Sequence, residues 1–199
     1  LPDGYAAMRL SKKLNVPYMV TVHGADLYGN IHKSKYCYTI IRNSFSNAAK
    51  VICVSKTLKD ILIQNQLPVD NVDIVENGIN IPPNSEKKIN SDPVILSVSN
   101  LITQKCIDKN IDVIRKLKPE YPNIIYKIVG EGPREKDLKR QVKHLKLEEN
   151  ILFLGGVRNE DVLKLMAESD IFSLPSYNES FGVVYLEAMS QGTPIIALE

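Results

Sequence analysis

The segment I-I-Y-K-I-V-G-E-G-P-R-E-K-D-L-K-R-Q-V-K-H-L, residues 124–145, decides the fold. An apolar run (124–129) suits a buried strand, a glycine turn follows, and a mixed-charge amphipathic stretch (134–145) suits a helix. Working outward, similar runs recur at 19–22, 50–54, 72–75, 93–98, 151–154, 170–174 and 194–197. Nearly continuous apolar strands of this length belong to a parallel sheet covered on both faces. The stretches between them, such as K-T-L-K-D-I-L-I-Q (56–64), read as helices. This alternation predicts a doubly wound α/β architecture.

One stretch breaks the rhythm. Residues 81–93 hold three prolines, several charges and little apolar content, the composition of a linker. The expected organisation is one α/β domain over 1–80, a linker over 81–92 and a second α/β domain over 93–199, each present in part. Leu1 falls inside an apparent helix and Glu199 just after a strand, so the chain reads as a fragment.

Composition narrows the function classes. With 44% hydrophobic and 24% charged residues and a formal charge of +2, nothing points to a nucleic-acid partner. No apolar run approaches the roughly 20 residues that span a bilayer. Cys37, Cys53 and Cys106 are scattered and odd in number, so neither a disulfide framework nor a zinc site fits, and a cytoplasmic setting is expected. No His, Cys and carboxylate cluster has metal-ligand spacing. His32 and His144 read as ordinary exposed positions. The segment 33–49 carries Lys33, Lys35 and Arg42 among aromatics. It admits both a solvated basic face and a peripheral contact with the inner face of the plasma membrane.

In open α/β sheets ligands bind beyond the carboxyl ends of the strands. His23-Gly24-Ala25-Asp26, Ser55-Lys56, Asn77-Gly78, Ser99-Asn100, Gly130-Glu131-Gly132, Gly155-Gly156 and 176–180 all fall there. Gly130 to Pro133 reads first as a tight strand-to-helix turn. Glu135 stands where G-x-G-x-x-G needs its third glycine, so a nicotinamide dinucleotide is not indicated. Lys105 is read as opening a helix toward Leu117, either as an exposed loop lysine or as a phosphate partner at a helix N-terminus. His23 is either a satisfied structural histidine or a functional one.

Residues 178–192, N-E-S-F-G-V-V-Y-L-E-A-M-S-Q-G, predict a helix with an opening turn and a glycine stop, apolar nearly all round and buried on most sides. A carboxylate in such a helix needs donors. Paired ribose hydroxyls would satisfy Glu187, unless a lysine elsewhere does. The N–H groups around Ser180, Phe181, Gly182 and Val183 offer a phosphate site at the helix start, and Glu179 at its mouth would meet a polyhydroxylated group.

The ordered set H-G-A-D (23–26), V-I-C-V-S-K (51–56), E-N-G-I-N (76–80), S-V-S-N-L-I-T-Q-K (97–105), I-V-G-E-G-P (128–133), F-L-G-G-V (153–157) and the Glu-x7-Glu pattern from Glu179 to Glu187 resembles the retaining glycosyltransferases of family 4, of GT-B fold. The likeness covers nearly the whole chain. It implies two Rossmann-like domains and a nucleoside diphosphate sugar as donor, with no metal and no other cofactor. It further implies a carbohydrate or lipid-linked acceptor, in polysaccharide or glycolipid synthesis. Glu187 would hold the ribose, Lys105 would neutralise the diphosphate, and Glu179 with the Phe181 and Gly182 N–H groups would hold the sugar. His23 would approach the sugar from the other domain. Asn100, Gly130 and Glu131 fall at the family's donor-binding positions, and the loop after F-L-G-G would lie against the base. Three departures stand out. Asn100 replaces the arginine common beside the diphosphate, Cys106 replaces the glycine common after the lysine, and Asn80 replaces a common Asp. Two other readings stay open, a GT-B nucleotide-sugar epimerase and a non-catalytic nucleotide-sugar-binding remnant.

Overall fold

A computed structural model of the chain describes residues 2–24, 26–80 and 90–198. Strands form at all eight expected places: Met19–Val22 (β1), Lys50–Cys53 (β2), Val72–Ile74 (β3), Val94–Val98 (β4), Ile125–Val129 (β5), Ile151–Gly155 (β6), Ile171–Leu174 (β7) and Ile195–Ala197 (β8). Helices run over Pro2–Leu14 (α1), Lys35–Ser46 (α2), Lys56–Gln64 (α3), Ile107–Leu117 (α4), Glu135–His144 (α5), Asn159–Ala167 (α6) and Val183–Ser190 (α7). Every strand pairing is parallel, in a sheet ordered β1-β2-β3 and a second ordered β6-β5-β4-β7-β8. Of the segment read as a linker, 81–89 lie outside the described residues, as does Ala25.

The chain divides into two compact units. The first is Leu1–Gly78 with Asn178–Phe181, and the second is Ile79–Tyr177 with Gly182–Glu199. In the first, Val22, Ile41, Phe45, Val51, Leu58 and Leu62 make the core. Serines cap two of its helices: Ser34 Oγ accepts from the Cys37 N–H at 3.1 Å, and Ser55 Oγ accepts from the Leu58 N–H at 3.3 Å. Ser55, one of the residues noted at a strand end, thus starts α3 by satisfying an orphan donor.

In the second unit α4 shows why its sequence is helical. Ile107, Ile111 and Ile114 recur at helical spacing, and all three are buried against the sheet. Each such side chain contributes about 1.5–3 kcal/mol. Under this layer lies a polar network. The Asn110 amide donates to Ser97 Oγ at 3.2 Å, the Tyr126 hydroxyl at 3.2 Å and the Ser173 carbonyl at 3.0 Å, and its oxygen accepts from Ser173 Oγ at 3.1 Å. Burial pushes the Tyr126 phenol up to about 12, against the pull of its bonds to Ser97 and Asn110. Asn110→Ala leaves several buried groups unpaired, so a loss of about 2–3 kcal/mol is expected in urea unfolding. Tyr126→Phe, which removes one member, is expected to cost about 1 kcal/mol.

Coverage on both faces, expected for all the strands, holds for the inner ones only. β4, β5 and β7 are largely buried, whereas β1, β3 and β8 lie at sheet edges and expose residues such as Met19, Ile74 and Ile196. An edge strand has a neighbour on one side, and its side chains lose cover accordingly. The three cysteines are free, and burial pushes the Cys53 thiol up to about 11. His32 and His144 are exposed. Among the described residues no helix is long and apolar enough to cross a membrane.

Candidate functional site

In the second unit the loops after β4, β5 and β6 are zipped together. The Ser99 N–H donates to the Val129 carbonyl at 3.0 Å, Leu101 to Glu131 at 2.9 Å, Arg134 to Leu101 at 3.0 Å and Gly130 to Gly155 at 2.8 Å. Such contact demands glycine. Gly130 has φ +123°, and a Cβ there would stand 1.9 Å from the Ser99 carbonyl oxygen; one at Gly132 would stand 2.5 Å from that of Leu101. The turn reading of Gly130 to Pro133 therefore holds, and the glycines serve loop packing. Glu131 is exposed, and its Oε1 accepts from the Gly156 N–H at 3.2 Å, tying the β5 loop to the F-L-G-G loop.

Lys105 does not open α4. Thr103–Lys105 form a single 3-10 turn, Cys106 follows in the left-handed region (φ 50°, ψ 35°), and α4 starts at Ile107. That left-handed residue is what separates turn from helix. A residue with a Cβ pays for that conformation with about 1–2 kcal/mol, which glycine would not. Cys106→Gly is expected to raise stability by about 0.5–1 kcal/mol after the larger unfolded-state entropy of glycine is subtracted, measured as a shift in urea midpoint. Asn100 is exposed in the same loop cluster.

The helix expected across 178–192 occupies Val183–Ser190 alone. Gly182 starts it in the left-handed region (φ 77°) and, as a glycine, brings no side chain to cap the helix. The glycine stop forms as expected: the Gly192 N–H donates to the Met189 carbonyl at 2.9 Å and Thr193 to Ala188 at 3.1 Å, a Schellman ending. Burial on most sides does not hold. Ala188 is fully buried, but Val183, Val184 and Glu187 are half-buried and Met189 is 57% exposed. The reason lies in how the helix is anchored. Tyr185 donates its hydroxyl to the Leu174 carbonyl at 2.7 Å and meets Phe172 edge-on at 5.9 Å. Glu187, roughly 200° further round, is turned away from that contact. No described residue pairs with its carboxylate, and desolvation raises its affinity for a proton above the ordinary glutamate value.

The remaining predicted residues fall in the first unit. His23 is exposed at the end of β1, beside a cavity of about 350 Å³ that Asp3, Thr21, Ser44 and Phe45 also line. Gly24 is buried at φ +105°, and a Cβ there would strike Ser180 Oγ at 1.8 Å. Phe181 packs against this unit's core. Burial, then the Glu179 charge, hold the Tyr28 phenol above its usual value, and a hydrogen bond with Ser180 acts the other way. Thus the structure groups His23, Glu179, Ser180 and Phe181 in one unit. It groups Asn100, Lys105, Gly130, Glu131, Gly182, Val183 and Glu187 in the other.

Sequence reasoning passed over Tyr28 and Arg134, as well as the Asn110 network. A serine inside each of the apolar runs V-I-L-S-V and D-I-F-S-L was the available signal for the network, because a buried hydroxyl needs a partner. Among the described residues no group of three or more His, Cys, Asp or Glu is placed to hold a metal ion.

Parallel sheets in two units, with glycine-built loops at the carboxyl ends of the strands, are of the GT-B fold class. The chain belongs to the glycosyl transferases group 1 family, whose model matches residues 80–199, and the glycosyltransferase family 4 model matches 1–81. The gpi3 subunit of phosphatidylinositol N-acetylglucosaminyltransferase from Schizosaccharomyces pombe is 30% identical over 162 residues, 79% of this chain and 36% of that protein. An uncharacterized glycosyltransferase of Methanocaldococcus jannaschii is 29% identical over 211 residues, 96% of this chain and 54% of its own. Among solved structures, HepE of Anabaena in complex with UDP superposes with a TM-score of 0.82 at 25% identity, over 98% of this chain and 56% of HepE. The chain thus spans between about a third and a half of these curated relatives.

Proposed function

We propose that the protein containing this chain is a retaining glycosyltransferase that moves a sugar from a nucleoside diphosphate sugar to a glycan or lipid-linked acceptor. The observation that carries the reading is Glu187, half-buried, without a partner among the described residues and held above the ordinary glutamate proton affinity by desolvation. A carboxylate in that condition calls for donors from a ligand, and the two hydroxyls of a ribose match its two oxygens. The glycine-started α7 presents its N-terminal N–H groups toward phosphate oxygens just upstream. Lys105 is assigned the diphosphate charge that grows as the glycosidic bond breaks. No divalent ion is invoked, because a lysine and a helix start fill that role. Glu179 and His23 are assigned to the sugar. HepE was solved with UDP and with UDP-glucose, which makes a uridine donor the first to test. The setting assigned is the cytoplasm, with peripheral contact at the inner face of the plasma membrane where the acceptor is lipid-linked.

The test is to incubate the intact protein with UDP-sugars, with and without candidate acceptors. Acceptor-dependent release of UDP with retention at the anomeric carbon supports transfer. Isomerised nucleotide sugar in the absence of acceptor would instead show an epimerase, and binding without turnover a non-catalytic carrier.

A further inference from the structure

The turn that carries Lys105 is closed by two backbone bonds of its own, from the Lys105 N–H to the Ile102 carbonyl and from the Cys106 N–H to the Thr103 carbonyl, both at 3.1 Å. It is a single 3-10 turn closed by a cysteine in the left-handed region, a conformation that strains any residue with a Cβ. Two outside groups brace it. From the β7 side, the Tyr177 N–H donates to the Gln104 carbonyl at 3.1 Å. From the start of α5, the Arg134 guanidinium donates through Nη1 to Thr103 Oγ1 at 3.2 Å. Arg134 is itself seated by its backbone, whose N–H donates to the Leu101 carbonyl in the same loop. Its Nε is buried without a hydrogen bond, 3.7 Å from an Asp137 carboxylate that also pairs with Arg140. Thr103 is thus the hydrogen-bonded partner that the structure gives this guanidinium, and the carboxylate nearby is shared.

We propose that Arg134 is a positioning residue for diphosphate recognition: by clamping Thr103 it sets the turn that presents Lys105. The proposal rests on the donor-site reading above. Position 100 explains why the clamp matters. With the uncharged Asn100 in the same loop cluster, Lys105 bears the diphosphate charge with a neutral neighbour, and a displaced lysine loses Coulombic attraction steeply with distance. Arg134 acts through the turn and need not touch the ligand.

The experiment is a double-mutant cycle on the intact protein, with calorimetric binding of UDP and of uridine. Thr103→Val removes the acceptor and keeps the guanidinium charge, whereas Arg134→Ala removes the donor. Each single change is expected to weaken UDP by about 5- to 10-fold. The double change should weaken it no further than the stronger single change, and uridine affinity should stay at the wild-type value in all three. A merely structural role would lower both affinities together and shift the ligand-free unfolding midpoint. Unchanged UDP binding by Thr103→Val, or additive losses in the double variant, would overturn the clamp. Lys105→Ala is the control: if it binds UDP as wild type does, or if wild type does not bind UDP, the donor-site reading itself falls. If that control behaves and the cycle does not, the clamp alone falls.

Discussion

Replacing Glu179 by alanine is expected to cut sugar transfer by at least about a hundredfold while leaving the affinity for UDP at the wild-type value. The size follows from removing a group that acts as charge develops at the reacting carbon, a loss commonly of 10²–10³ in turnover. The selectivity follows from chain order, since Glu179 precedes the helix start assigned to the phosphates and stands eight residues before Glu187. Its surroundings fit a functional carboxylate on a fixed loop. Glu179 is half-buried, and its charge is felt by Tyr28. Gly24 lets the loop approach closely enough that any Cβ would collide with Ser180. Steady-state transfer and calorimetric UDP binding are the two measurements. A parallel fall in both would show that Glu179 supports the nucleotide as well and would break the assigned order.

Glu187→Ala and Glu187→Gln should do the reverse in binding, each weakening UDP by about 10- to 100-fold even with no sugar attached, the worth of one or two hydrogen bonds to a charged group. The pH dependence supplies a second readout. Desolvation raises the folded-state proton affinity of Glu187, so its ionised form is disfavoured by folding. For a carboxylate shifted in this direction, the favourable contribution is complete below the unfolded value and is lost as pH rises through the folded one. Ligand-free Glu187→Gln should therefore unfold at a higher temperature than wild type at neutral pH, and the gap should close in acid below the ordinary glutamate range. Saturating UDP should reverse the order at neutral pH, because wild type gains more from the ligand. Wild-type UDP affinity should also fall as pH drops through the raised value. An unchanged UDP affinity in Glu187→Gln would remove the ribose role.

The two variants together describe a site whose stability and function oppose each other. On the proposed ribose role, the half-buried Glu187 carboxylate would weaken the free protein and strengthen the complex, a trade expected where a site is organised for a ligand.

Much of the architecture was legible in the chain because its signals are local. Apolar runs such as I-I-Y-K-I-V and V-I-L-S-V, each followed by a polar or glycine turn, determine strands, their alternation with helices and the parallel α/β class. The glycine stop of α7 was equally readable, being set by one residue's backbone freedom. The tight glycine turn after β5 was readable too, and the close approach of the Ser99 and Leu101 carbonyls to Gly130 and Gly132 bears it out. Tertiary structure decided what periodicity does not carry. It placed Lys105 in a separate turn, because the break depends on the φ of Cys106 rather than on any apolar pattern. It left α7 partly open, because burial is set by neighbours from other elements and Tyr185 anchors one face alone. It joined Arg134 to Thr103 and Asn110 to Ser97, Tyr126 and Ser173, pairs distant in sequence that only packing brings within hydrogen-bond reach.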